Sequence, residues 1–270
     1  MFKDKVVIIT GASSGIGKAL AVEFSKNGSH LVLAARSLDK LQEVSTECIK
    51  YGVQTLIVQT DVSIESDCEN MIQKTIEKFG KIDFLVNNAG VSMRALFKDV
   101  NINVLKKLMD VNFWGTVYCT KFAYPYLLQS KGTLIGIVSV AAFKGLPART
   151  GYSASKFAMF GFLETIRIEN VKTGLKVITV APGFTESNIR NTALTKDGST
   201  QKESPRNEKN MMKAEVVAKK TIKAIKNGKN LLILTYEGRR VYWLRQFVPT
   251  KISDLMVYNS FAKEPDSPLI

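Results

Sequence analysis

Val6-Val-Ile-Ile-Thr-Gly-Ala-Ser-Ser-Gly-Ile-Gly17 runs directly into Lys18-Ala-Leu-Ala-Val-Glu-Phe24, and this stretch decides how the rest of the 270-residue chain is read. Val6–Ile9 is an apolar run of the length expected for a buried strand, and Lys18–Phe24 carries its apolar residues at helical spacing. A strand, a glycine turn and a helix N-terminus in that order form an anion site, because unpaired N–H groups and the positive end of the helix dipole face the turn. Gly11 permits the tight turn, Gly15 lets the backbone approach a pyrophosphate, and Gly17 allows close helix–strand contact. Ser13, Ser14 and Ile16 complete the loop, with two hydroxyls available to phosphate. The spacing is GxxxGxG, not the GxGxxG of the common dinucleotide fingerprint. The competing reading is a glycine-rich turn without a ligand.

A second stretch carries chemistry. In Gly151-Tyr-Ser-Ala-Ser-Lys156, Tyr152 and Lys156 stand one helical turn apart and share a face. A free tyrosine titrates near ~10, too high for acid–base work at neutral pH. The expectation is that the Lys156 ammonium lies near the phenol oxygen and lowers its pKa toward the working range. The same spacing occurs by chance on many helices, so the pair gains weight from its place behind a nucleotide loop.

Working outward, apolar strand runs alternate with helical patterns. Strands are expected at Leu31–Ala35, Val53–Val58, Ile82–Val86, Leu134–Val138, Lys176–Val180 and Leu231–Leu234. Helices are expected at Leu38–Tyr51, at Glu65–Phe79 with Gly80 as C-cap, from Asn101 to Gln129, and from the Tyr152 segment to Lys172. Pro125 should bend or end the long helix. The pattern predicts an α/β fold: a doubly wound, Rossmann-like parallel sheet of about seven strands with helices on both faces. Ligands of such sheets bind at the carboxyl ends of the strands. Asp61, Asn87, Ser139 and Pro182-Gly183 each follow a strand, which places them around one crevice.

Composition removes several classes. The three cysteines are scattered and His30 is the only histidine, which argues against a zinc site and against a Ser-His-Asp hydrolase. His30 reads as a loop residue entering a strand. No apolar run reaches the ~18 residues of a membrane span, and the first strand begins too early for a signal peptide. A reduced, cytoplasmic compartment is expected. The net charge is +14, and Lys196–Lys251 holds 14 Lys and Arg against 5 Asp and Glu. No nucleic-acid motif accompanies this patch. A solvated face on an amphipathic helix over Lys213–Lys229 is the plainer reading, so no nucleic-acid partner is expected.

Taken together, the chain resembles the short-chain dehydrogenase/reductase family in its single-domain branch. The match runs from Val6 to Leu234 through Thr10–Gly17, Asp61-Val62, Asn87-Asn88-Ala89-Gly90, Asn112, Ser139, Tyr152 with Lys156, and Pro182-Gly183 followed by Thr185. The resemblance implies a site in which Tyr152 exchanges a proton with a substrate oxygen and Ser139 holds that oxygen. Lys156 lowers the Tyr152 pKa and bonds the nicotinamide ribose, and Asn112 supports a water chain to Lys156. The cofactor contacts implied are Gly11, Ser13, Ser14, Gly15, Ile16, Gly17, Asp61, Val62, Asn87, Asn88, Ala89, Gly90, Tyr152, Lys156, Pro182, Gly183, Phe184 and Thr185, with no metal.

Cofactor choice turns on the end of the second strand. An acidic residue there favours NAD by bonding the ribose 2′-hydroxyl. This chain has Ala35, Arg36 and Ser37 instead, and an arginine pairs with a 2′-phosphate, so NADP(H) is expected.

One catalytic domain, residues 1–235, is expected, with residues 184–212 as a substrate loop. Residues 236–270 form an apolar and basic extension, weakly similar to membrane-associated steroid and ketosphinganine reductases. Within it, Val241–Tyr258 reads either as an interfacial helix pair on a membrane, or as cover for the pocket or for a subunit contact in a homodimer or homotetramer. The resulting expectation is an NADP(H)-dependent oxidoreductase acting on an apolar secondary alcohol or ketone. A non-enzymatic dinucleotide-binding module and, more remotely, a basic nucleic-acid-binding protein are the alternatives.

Overall fold

Alternate residues of the first strand, β1 (Val6–Thr10), bury on opposite faces because successive strand side chains point to opposite sides. Val7 and Ile9 enter one apolar cluster, and Val6 and Ile8 enter another. Both faces are therefore dry, as a central parallel strand requires. The computed structural model describes residues 1–185, 189, 190, 192–201, 211–263, 267 and 269.

Seven parallel strands make one sheet in the order β3-β2-β1-β4-β5-β6-β7. Besides β1 these are β2 (His30–Ala35), β3 (Thr55–Gln59), β4 (Phe84–Asn87), β5 (Thr133–Ile137), β6 (Lys176–Ala181) and β7 (Leu231–Ile233). The short β7 pairs with β6 from Leu231 opposite Thr179 to Ile233 opposite Ala181. The strand order reverses between β1 and β4, which opens the crevice in which such sheets bind ligands.

Helices α1 (Gly15–Lys26), α2 (Leu38–Ile49) and α7 (Ala214–Lys226) cover one face. On the other lie α3 (Glu65–Phe79), α5 (Gly115–Gln129) and α6 (Thr150–Glu169). Most expected elements are present, with boundaries displaced by one to three residues. α3 ends at Gly80, whose φ of 70° gives the left-handed C-cap.

The long helix departs from expectation. It starts as α4 (Ile102–Met109), widens into a π-helical turn at Asp110–Trp114, and continues as α5. Pro125 does not end it, and the helix runs on to Gln129, the boundary expected from the sequence. Pro125 and Lys121 both lie exposed, so the Lys121 carbonyl that loses its partner meets solvent.

His30 stacks on Phe79 at 5.8 Å and its Nδ1 accepts from the Gln54 amide, a structural placement. Cys48, Cys68 and Cys119 are free and buried. After β7 come α8 (Tyr236–Phe247) and α9 (Thr250–Ala262). Tyr242 of α8 packs edge-on against Phe143 at 5.0 Å, and Arg245 donates to the Phe143 carbonyl at 3.2 Å. Lys144 bonds Ser253 and Asp254 of α9. Among the described residues, no helix is long and apolar enough to cross a membrane.

Candidate active site

The glycine turn is built by mutual exclusion of side chains. Gly11 has φ of 64°, and a Cβ there would lie 2.8 Å from Ala89 Cα. A Cβ on Gly17 would lie 2.2 Å from the Gly11 carbonyl oxygen, so α1 can sit this close to the turn only with glycine at that position. Asn88 braces the turn from β4, donating to the Thr10 and Gly11 carbonyls at 2.9 and 3.2 Å. The Thr10 hydroxyl accepts the Asn88 and Ala89 amides, both at 3.0 Å. Ser14, which precedes α1, makes no side-chain cap, so the first-turn N–H groups of the helix face the crevice unbonded by it.

The crevice encloses about 1880 Å³. Gly11, Ser13, Ser14, Gly15 and Ile16 line it beside Arg36 and Ser37. Asp61 and Val62 face it after β3, and Asn88, Ala89 and Gly90 after β4. Ser139, Tyr152 and Lys156 form its middle, and Pro182, Gly183, Phe184 and Thr185 its β6 side. The Asp61 carboxylate accepts from the Ser63 amide and hydroxyl at 3.0 and 2.7 Å. The expected 184–212 loop falls partly on residues outside those described. Its described portion contributes Arg190, Thr192, Leu194, Met211 and Met212 to the wall.

Three expected residues do not face the crevice. Gly17 lies beneath the turn, as its packing role requires. Asn87 is a correction: it is the last residue of β4, alternation turns its side chain into the core, and its amide donates to Thr120 at 2.9 Å. Asn112 is fully buried in the π turn. Its carboxamide clasps the Val91 backbone at 2.8 and 3.0 Å and donates to Ser155 at 2.9 Å. It thereby ties the loop after β4 to α6, one residue before Lys156. A π turn at such a place is a recurrent feature of functional sites.

The Tyr152–Lys156 pair shares a helix face as expected, but its electrostatics differ. Lys156 Nζ lies 6.0 Å from the Tyr152 ring centroid and donates to the Ile137 carbonyl at 2.9 Å. Burial lowers its pKa to about 8. The Tyr152 phenol is not lowered: burial pushes it up, opposed by a hydrogen bond with Ser139 and by the charge of Arg149. Ser139 also accepts the Ala141 amide at 3.2 Å, capping the 3-10 turn Val140–Ala142.

Residues 5–198 match the family model for short chain dehydrogenase. The chain belongs to the short-chain dehydrogenase family. An 11-beta-hydroxysteroid dehydrogenase-like 4A protein of Arabidopsis thaliana is 39% identical over 247 residues, covering 91% of this chain and 81% of the relative. The structure of an alcohol dehydrogenase from the archaeon Thermococcus sibiricus, complexed with 5-hydroxy-NADP, is 26% identical with a TM-score of 0.77. It spans 86% of this chain and 96% of its own. A short chain dehydrogenase/reductase from Burkholderia phymatum, in complex with NAD, covers 100% of this chain and 99% of its own, with a TM-score of 0.82 at 24% identity, a likeness of fold. This short-chain dehydrogenase is thus a member of an oxidoreductase family whose fold takes NAD or NADP.

The residues present fit such a dinucleotide, since the glycine cradle, the open α1 N-terminus and the crevice at the sheet reversal are all in place. The exposed Arg36 stands at the mouth after β2, where no acidic side chain precedes it, and Lys40 lines the same mouth from the first turn of α2. Lys40 escaped the sequence reading although it lies four residues after Arg36. Arg149 escaped it too, although it lies three residues before Tyr152 and on the same side of α6. Its Nη1 donates to Ser92 Oγ at 3.0 Å and to the Met93 carbonyl at 3.1 Å. Among the described residues, no cluster of His, Cys, Asp or Glu assembles to hold a metal ion.

Proposed function

We propose that this short-chain dehydrogenase is an NADP(H)-dependent oxidoreductase that interconverts a secondary alcohol and a ketone on a largely apolar substrate. The observation that carries the reading is the meeting of Tyr152, Ser139 and Lys156 on one crevice floored by the glycine turn. The bound nicotinamide supplies or accepts the hydride.

The protein supplies the proton. Burial keeps the Tyr152 phenol protonated at neutral pH, which suits a donor to a substrate oxygen in the reducing direction. Ser139, already bonded to the phenol, is placed to hold that oxygen. As the proton leaves, the Ser139 bond and the Arg149 charge favour the phenolate. Lys156 is assigned to the nicotinamide ribose, and Asn112 to the water relay behind it.

The Arg36 and Lys40 cations support NADP(H) over NAD(H). A charged hydrogen bond to a 2′-phosphate contributes roughly 1.5–3 kcal/mol, about ten-fold or more in cofactor preference. The double change Arg36→Ala with Ala35→Asp is expected to reverse the order. Equal use of NADH by the unaltered chain would remove the assignment.

The domain reading is residues 1–235 as the catalytic unit, with 236–270 as an apolar and basic extension packed on the same domain. Val241, Leu244, Met256 and Val257 in the crevice wall support it. The free, buried cysteines support a reducing, cytoplasmic compartment. A homodimer or homotetramer and peripheral membrane contact through Val241–Tyr258 complete the reading. A panel of steroid, lipid and small ketones with NADPH tests it. Turnover of at least one apolar ketone is expected, and tight NADPH binding without turnover of any would count against it.

A further inference from the structure

We infer that the substrate end of the crevice selects an anionic amphiphile, an apolar frame whose acidic group is met by the Arg149 guanidinium beside Tyr152. The inference deepens the oxidoreductase reading and rests on it for the position of the reacting oxygen.

Arg149 immediately precedes α6 and, three residues ahead of Tyr152, faces the same side. Both line the crevice. Its hydrogen bonds go to a hydroxyl and a carbonyl, which orient the guanidinium but leave its charge uncompensated. Among the described residues no carboxylate forms an ion pair with it.

Burial disfavours the Arg149 charge most, and the Tyr152 phenol opposes this only when ionised. Arg94 and Arg190 lie near enough to disfavour that charge in the same direction as burial. Arg190 is itself buried, donates to the Thr185 carbonyl at 2.9 Å, and lines the crevice with Arg149. A partly buried guanidinium that no carboxylate pairs is costly unless an anion meets it. A guanidinium offers two parallel N–H donors that match a carboxylate edge or a phosphate.

The dinucleotide's phosphates do not fill this role. They fit the glycine turn after β1 and the Arg36–Lys40 mouth after β2. Arg149 leads the helix that follows β5, three strands from β2 and about 14 Å away at the usual strand spacing. The crevice that Arg149 lines also carries apolar side chains, among them Leu146, Leu194, Val241, Leu244 and Met256, interspersed with polar ones. An apolar frame with an acidic group satisfies both halves of this surface.

Equilibrium dialysis of dodecanoate and of methyl dodecanoate against the NADPH-loaded full chain tests the inference. The acid should bind about ten-fold or more tightly than its ester, the range expected of hydrogen bonds to a charged group. Arg149→Gln should bring the ratio close to one. Arg149→Lys, which keeps the charge, should retain most of it, a rescue that a purely structural tie to Ser92 and Met93 would not give. Thermal melts report whether each variant folds. Should Arg149→Gln not fold, Arg190→Gln should also lower the ratio. Equal affinities, no binding of either probe, or a ratio untouched by the variants that fold would overturn the inference. Dodecanoate has no carbonyl to reduce, so this result is independent of turnover. A chain that reduces neutral ketones yet shows no preference for the acid would lose this inference alone.

Discussion

Tyr152 concentrates the chemistry assigned to this chain. Tyr152→Phe keeps the ring and removes the proton. Loss of a positioned acid–base group costs on the order of 10²–10⁴ in rate. Steady-state reduction of a ketone should fall by that range while NADPH affinity, read by fluorescence titration, is retained. Activity within about threefold of the unaltered chain would reject Tyr152 as donor. Lys156 gives a second expectation. Its pKa falls from 10.5 to about 8 on folding, so between those values the unfolded chain binds the extra proton. Stability contributed at this position therefore rises as pH climbs from about 8 toward 10.5. Against Lys156→Met, the unaltered chain should gain a few kcal/mol across that window in urea unfolding; a constant gap would contradict the shift. The i,i+4 spacing made the pair legible. It could not reveal that the ammonium bonds the Ile137 carbonyl or that burial raises the phenol, because neither is a property of spacing. Asn87 and Asn88 show the same limit: adjacent asparagines point to opposite sides, and only the strand's exact end decides which one meets the crevice.

Among the elements, the β1–α1 turn is tightly constrained. Gly17→Ala would set a methyl 2.2 Å from the Gly11 oxygen and 2.6 Å from Asn88 Nδ2. Overpacking of this kind costs about 1–3 kcal/mol. Urea unfolding should show that loss, and NADPH affinity should fall with it because the α1 N-terminus must move away from the turn. Unchanged stability and affinity would contradict the packing argument. The turn was legible because glycine spacing and the change from strand to helix period coincide there. The π turn at Asp110–Trp114 was not, since one extra residue in a turn barely disturbs the apolar pattern of a long helix.

At the scale of the molecule, the doubly wound sheet was legible from the alternation of runs, whereas the arrangement of charge around the crevice was not. Arg149 and Arg190 come from different segments and meet only in the fold. The C-terminal helices leave Trp243, Phe247, Ile252 and Leu255 more than half exposed near Arg239, Arg240 and Lys251. Trp243 and Phe247 stack on one another in this exposed set, and apolar groups left in water in this way are the basis for proposing an interaction face. The full chain is expected to co-sediment with anionic vesicles and to be released by salt, since each cation contributes about 1 kcal/mol near such lipid. Trp243→Gln with Phe247→Gln should abolish the association. An oligomer in light scattering without lipid, insensitive to salt, would instead make the face a subunit contact. The central claim is that one crevice joins the dinucleotide to a reducible carbonyl. Its most direct measurement uses NADPH deuterated at the transferable C4 position and mass analysis of the alcohol formed from the ketone panel. The account predicts deuterium on the new carbinol carbon. Tight NADPH binding with no deuterium transferred to any ketone would contradict it and leave a dinucleotide-binding module without catalysis.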